Sequence, residues 1–270
     1  NPVQGQGAYA PDFALFGGQH IWKAVPVILQ TLRDAGRLKA TTPITHSYPH
    51  CWRHKTPVIY RAAPQWFVRM DEGHGVFENP SLKPKQTLRQ LALQAIEDTR
   101  FYPENGQARL RDMIANRPDW VVSRQRAWGV PITVFVEKES KEILVDARVN
   151  AAIAEAFEAE GADAWFTDTD GARFLKPFGY DPASYERVTD VLDVWFDSGS
   201  TFAHVLHGSH RHAYDRAPFH EVGPEADLYL EGHDQHRGWF HSTLMCSVVT
   251  RGHAPYKAVL THGFAVDEHG

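Results

Sequence analysis

Between Asp227 and Phe240 the sequence reads DLYLEGHDQHRGWF, an apolar strand-like run that ends in Glu231-Gly232-His233-Asp234 and turns at once into a helical pattern. Glu231 and Asp234 offer carboxylate acceptors for hydroxyls or an ammonium. Gly232 permits a tight turn and close approach of a ligand to the backbone. The N–H groups of a starting helix favour an anionic group nearby. The chemistry on offer is recognition of a small polar molecule, although an ordinary strand-to-helix turn capped by Asp234 has the same spacing. A second stretch, Val191 to Ser200, reads VLDVWFDSGS and places Trp195 beside another turn. Trp195 and Trp239 could wall a small apolar pocket next to the polar groups, or both could be core aromatics. A third, KAVLTHGFAVD, sets His262-Gly263 in a buried-looking strand, where the histidine reads as a ligand contact or as a satisfied core residue.

Such turns work only if a sheet brings them to one edge. From about Val121 to Gly270 strand and helix alternate, which predicts an α/β fold with a parallel sheet covered by helices. The expected strands are Val121-Val122, Ile132 to Val136, Val191 to Phe196, Asp227 to Glu231 and Ala258 to Val266. Ligands of open parallel sheets bind at the carboxyl ends of strands. The last helix is expected from Asp234 to Arg251, capped by Asp234, stopped by Gly252, and buried on most sides because its middle is apolar nearly all round. Before this zone lie two others. Residues 1–38 read as a glycine-rich loop and then a helix through Ile21, Val25, Ile28 and Leu32, with Gly36 as its stop. Residues 39–120 read as a mixed connector with strand-like VIYRAAPQWFVRM, a proline-rich linker at Asn79-Pro80 and Lys83-Pro84, and helices over Thr87 to Thr99 and Gly106 to Ala115.

The 270 residues suffice for about two domains, and 43% hydrophobic with 23% charged residues excludes a disordered chain. No apolar run approaches the roughly 20 residues that span a bilayer. A net charge of -5 gives no global field for polyanions, so any nucleic-acid contact must be local. Two cysteines, Cys51 and Cys246, cannot make a disulfide framework, and no signal peptide opens the chain, which points to the cytoplasm. Asn1 at one end and a strand-like run before Gly270 at the other make the chain read as an internal fragment.

Five blocks, SYPHCWRHKTPVIYRAAPQWFV, GQARLRDMIANRPDWVVSRQRAWGVPI, DVWFDSGS, YLEGHDQHRGWF and APYKAVLTHGF, together resemble the isoleucyl-tRNA synthetases, within the class I aminoacyl-tRNA synthetases. The resemblance covers nearly the whole chain. It implies the second half of a Rossmann-like catalytic domain over 121–270, a connective region over 39–120, and over 1–38 the tail of an inserted editing domain, to which no editing residues are assigned. It implies ATP-dependent formation of isoleucyl-adenylate and transfer to the isoleucine tRNA, with Mg²⁺ accompanying ATP. By resemblance Glu231 would contact the aminoacyl-adenylate, Gly232 and Asp234 its adenosine side, Gln235 the polar end of the amino acid, His262 and Gly263 the adenine or ribose, and Trp195 and Trp239 would enclose the branched side chain. None of these is a covalent nucleophile, so catalysis would rest on positioning and charge stabilisation. The family's His-Ile-Gly-His and Lys-Met-Ser-Lys-Ser signatures are not in the sequence. The chain by itself is therefore expected not to form adenylate, and to be monomeric. His233 and Ala127 depart from the family's usual residues.

Sixteen histidines raise a metal-dependent hydrolase as the alternative enzyme. Its candidate ligands are His204, His207, His210 and His212, or His46, His50, Cys51 and His54; neither set is assigned a metal, zinc included. A non-catalytic structural fragment is the third reading. Arg109, Arg111, Arg117, Arg124 and Arg126 could touch tRNA phosphates or form a solvated face. Trp66 and Trp128 could stack on an unpaired tRNA end or pack in the core.

Overall fold

In the structure, a computed structural model, residues 2–51, 53–72, 86–124, 129–209 and 225–270 are described, with the backbone only at His207 and Ser209. The chain divides into two compact units, Asn1–Pro64 and Gln65–Gly270. In the first, α1 (Ile21–Asp34) begins where the His20 ring accepts the Trp22 N–H. It ends at Ala35 with Gly36 in the left-handed region, φ 66°, where the Arg37 and Leu38 N–H groups close back on the Leu32 carbonyl. Helix and glycine stop match the sequence reading.

The second unit contains β1 (Phe67–Val68), α2 (Leu88–Glu97), β2 (Arg100–Tyr102), α3 (Asn105–Ala115), β3 (Trp120–Val121), β4 (Ser123–Arg124) and β5 (Phe135–Glu137). It continues through α4 (Ala147–Glu160), α5 (Ala164–Thr167), α6 (Ala172–Leu175), β6 (Tyr185–Arg187) and β7 (Val191–Leu192). Then come α7 (Val194–Gly199), α8 (Thr201–His204), β8 (Tyr229–Gly232), α9 (Trp239–Arg251) and β9 (Ala258–His262).

A three-stranded parallel sheet in the order β2-β9-β8 positions the site. Its register sets Arg100 opposite Ala258, Glu231 opposite Thr261 and Gly232 opposite His262. The α/β character and parallel sheet agree with the sequence. The composition of the sheet does not: β2 lies before Trp120, in a segment read as connector, and three expected strands of the later zone pair antiparallel instead, as β3 with β1, β7 with β4 and β5 with β6. Three further corrections concern extent, the first being that the strand expected from Ala258 to Val266 ends at His262. Of VIYRAAPQWFVRM only Phe67–Val68 is strand. The strand expected to reach Phe196 stops at Leu192, because the Asp193 side chain accepts the Trp195 N–H and starts α7.

Local sequence explains the helices that cover the sheet. Thr87 and Gln90 form a reciprocal capping box at the start of α2, and Leu88, Leu91, Ala92, Ala95 and Ile96 recur on its buried face. Helix α9 is buried nearly all round, as its apolar middle predicts. Its Ser247 hydroxyl donates to the His253 carbonyl at 2.7 Å, and Gly252 ends it at φ 81°. These elements share one core with Phe101, Leu110, Ile114, Tyr229, Phe240, Leu244 and Val259. A second cluster, Phe135, Val149, Ile153, Trp165, Phe174 and Leu175, is organised by the fully buried Trp165, whose indole N–H donates to the Val188 carbonyl at 2.8 Å.

Candidate active site

Strand β8 ends at Gly232 and runs directly into a single 3₁₀ turn, His233–His236, before α9 starts at Trp239. Gly232 leaves space here. A Cβ on it would lie 2.6 Å from Asp234 Oδ1, so the missing side chain lets the carboxylate fold back over the strand end. Asp234 does not cap α9, contrary to the sequence expectation. The 3₁₀ turn shifts the helix start to Trp239, and Gln235 takes that role: its Oε1 accepts the Trp239 N–H at 2.9 Å while its Nε2 donates to Asp234 Oδ2 at 3.1 Å. The amide is thereby held between the acidic turn and the helix.

Gly238 joins this turn to the indoles. A Cβ there would collide with Gln235 Oε1 and come within 2.9 Å of Trp195 Cη2, so the Trp195 ring lies directly over the Gly238 backbone. Trp195 remains 44% exposed. Trp239 is fixed more firmly. Its ring stacks on Tyr229 with centroids 4.1 Å apart, and its Nε1 donates to the Ser198 carbonyl and to Thr201 Oγ1, each at 3.1 Å. Gly232, Asp234, Gln235, Trp195 and Trp239 thus form one connected group, with Glu231 exposed on the adjoining strand end.

His262 and Gly263 belong to a neighbouring place. They line a hollow of about 350 Å³ with Pro103, Asn105, Gly106, Arg109, His233, His236 and Thr261, and neither indole borders it. His233 Nδ1 lies 3.4 Å from the His262 carbonyl, and its ring packs on Phe264 with centroids 4.7 Å apart. Burial, with the Arg109 charge adding to it, lowers the His236 pKa below its usual range. Sequence reasoning missed Arg109, Asn105 and His236 as a group, because β2 and the start of α3 were not read as neighbours of β9.

The other candidates fall apart in space. Arg111 pairs with Glu97 at 3.2 Å, Arg117 meets His241, Arg124 meets Asp193, and Arg109 lines the hollow. Trp66 packs against the core, whereas Arg126, Ala127 and Trp128 lie outside the described residues. Cys51 Sγ lies 3.4 Å from His54 Nδ1, but His46 and His50 turn their Nδ1 atoms to the Ser47 and Tyr48 carbonyls. Among the described residues no group of three or more potential metal ligands assembles, and no helix is long and apolar enough to cross a membrane. His210, His212 and the side chain of His207 lie outside those residues.

Comparison with known proteins bears on whose turn this is. The chain is 55% identical to an isoleucine--tRNA ligase of Chromohalobacter salexigens, aligned over all of this chain and 27% of that protein. It is 54% identical to one of Pseudomonas fluorescens and 53% identical to one of an Azoarcus species, again over all of this chain and 27% of each relative. It therefore spans about a quarter of the length of these relatives. A family model described as tRNA synthetases class I (I, L, M and V) matches residues 21–270. With that match taking in the parallel sheet, the acidic turn and both indoles, the chain belongs to the class I tRNA synthetases.

Proposed function

We propose that this chain is the part of an isoleucine-tRNA ligase that cradles the aminoacyl-adenylate. The observation that carries the reading is the junction at Gly238, where the Trp195 ring, the Gln235 amide and the Trp239 backbone meet at the carboxyl end of a parallel sheet. Sequence identity of 52–55% to isoleucine--tRNA ligases supports the same assignment. In this reading isoleucine and ATP, the latter with Mg²⁺ as part of the substrate complex, give isoleucyl-adenylate and pyrophosphate. The acyl group then passes to the isoleucine tRNA.

The residues take the following parts. Glu231, exposed at the strand end, accepts from the ligand's donors. Asp234 and the backbone at Gly232 contact the adenosine side. Gln235, oriented at both ends of its amide, presents a fixed dipole to the polar end of the amino acid. Trp195 and Trp239 exclude water from the branched side chain, and His262 with Gly263 borders the adenine or ribose. Their contribution is preorganisation, since dipoles fixed before the reaction need no rearrangement as charge develops. We assign residues 1–38 to the tail of the editing insertion, 39–120 to the connective region and 121–270 to the second half of the catalytic domain. We place the protein as a monomer in the cytoplasm; Cys51 and Cys246 are both free thiols, which a reducing compartment would preserve.

A melting experiment tests the proposal. A non-hydrolysable isoleucyl-adenylate analogue at a hundredfold excess over its Kd stabilises the native state by about 2.7 kcal/mol. The expected result is a higher Tm with the isoleucyl analogue than with the leucyl one, and loss of that difference in Gly238→Ala, whose Cβ displaces Trp195 and Gln235. An equal Tm with and without the analogue would refute the reading.

A further inference from the structure

The two indoles proposed to wall the amino-acid pocket stand on different helices, so their separation depends on how those helices are joined. Trp195 lies in α7 and Trp239 opens α9. At Gly199 the end of α7 lies directly on the α9 backbone: a Cβ there would be 2.9 Å from the Ser242 carbonyl oxygen and 3.0 Å from Cys246 Sγ. This contact sets how closely α7 and α9 approach. It does not fix the Trp239 ring, which can still turn about its own side-chain bonds.

Two further contacts hold the ring. One is the stack on Tyr229, whose plane lies 10° from that of the indole. Tyr229 is buried and backed in turn by Tyr256, with centroids 4.8 Å apart. Stacking keeps ring planes parallel but allows one ring to slide over the other. The second contact removes that sliding. Trp239 Nε1 donates to the Ser198 carbonyl and to Thr201 Oγ1, and Thr201 Oγ1 donates its own proton to the same Ser198 carbonyl at 2.9 Å. The three groups close a triangle. An indole N–H can only donate, and with the hydroxyl proton committed to Ser198 the Thr201 lone pairs are left to receive it. Ser198 lies one turn after Trp195, and its hydroxyl donates to the Trp195 carbonyl at 3.3 Å. The triangle therefore ties the Trp239 ring to the helix that carries Trp195.

We propose that Thr201 is a specificity-determining positioning residue, whose hydroxyl holds the Trp239 indole against α7 and so makes the slot between the two indoles rigid. The inference rests on the reading of Trp195 and Trp239 as walls of the isoleucine pocket. Rigidity is what lets such a slot reject a smaller side chain. Isoleucine and valine differ by one methylene, and the void left by a missing group costs most where the surrounding walls cannot collapse onto it. A Trp239 ring free to swing closes on valine and erases the difference. Thr201 acts only through the ring it holds.

The test compares the native chain with Thr201→Val, which keeps the volume and removes the hydroxyl, and with Thr201→Ser, which keeps the hydroxyl. Without ligand, the indole N–H resonance of Trp239 reads the triangle. It is expected to shift and to exchange faster with water in Thr201→Val, and to stay near its native position in Thr201→Ser, while the Trp165 indole is unmoved in both. With ligand, the Kd values of non-hydrolysable isoleucyl- and valyl-adenylate analogues read the specificity. The native chain and Thr201→Ser are expected to prefer the isoleucyl analogue by about fourfold or more, the worth of one buried methylene, and Thr201→Val by less than about twofold. An unmoved Trp239 resonance in Thr201→Val, or a preference there equal to the native one, overturns the role of Thr201 alone. Loss of the preference in Thr201→Ser as well as Thr201→Val also overturns it, because the hydroxyl is then not the group at work. A native chain that binds neither analogue overturns the cradle and this role together.

Discussion

At the scale of single residues, histidine protonation is set by which atoms face each ring nitrogen. His241 sits one turn into α9, where the Arg117 guanidinium donates to its Nε2. Burial first, and then the Arg117 charge, lower its pKa to about 3. An unfolded histidine titrates near 6.5. Between these values the unfolded chain binds the proton and the folded chain does not. The group's contribution is therefore fully present above about pH 6.5 and is lost as the pH falls toward 3, at up to about 1.4 kcal/mol per pH unit. Denaturant unfolding across this window is expected to show that slope, flattened in His241→Gln, which keeps an acceptor for Arg117 but cannot titrate. Equal slopes in both proteins would place the Arg117 and His241 side chains apart in solution.

At the scale of elements, the sequence carried what local chemistry decides and lost what pairing decides. The helix that becomes α2, the Gly36 and Gly252 stops and the buried circumference of α9 were all legible, because each depends on residues within one or two turns. The three-residue β2 was not, since Arg-Phe-Tyr becomes a strand only by pairing with Ala258 to Leu260 far along the chain. That omission also hid the hollow at α3. Asp193 marks a third case: VLDVWF alternates like a strand, yet Asp193 is buried, and its carboxylate accepts the Trp195 N–H at 3.3 Å and meets Arg124. Cap and ion contact together turn the chain into α7. Asp193→Ala is expected to destabilise the protein by about 1–3 kcal/mol, read by denaturant unfolding, and to increase the solvent exposure of Trp195. Unchanged stability would show that α7 starts without its cap.

At the scale of the whole molecule, the two cysteines report on the two units separately. Cys246 is 4% exposed against Gly199 of α7, and burial pushes its thiol up to about 12. Cys51 in the first unit has its thiol lowered, chiefly by the backbone N–H groups of His54 and Arg53. Thiolate is the reactive form. A thiol reagent at pH 8 is therefore expected to modify Cys51 rapidly and Cys246 only at the rate at which the second unit opens. Comparable rates for both would contradict the packing of α7 on α9. Recognition of the family rested on five separated blocks, which the sequence displayed openly, whereas the way Gln235 and Gly238 join Trp195 to the acidic turn required coordinates.

The cradle itself is tested most directly by the indole N–H resonances of Trp195 and Trp239 during titration with a non-hydrolysable isoleucyl-adenylate analogue. Both indoles and the Gln235 side-chain amide are expected to shift together, with one common Kd, while the Trp165 indole of the second core stays in place. Saturable binding that leaves Trp195, Trp239 and Gln235 unmoved would contradict the account.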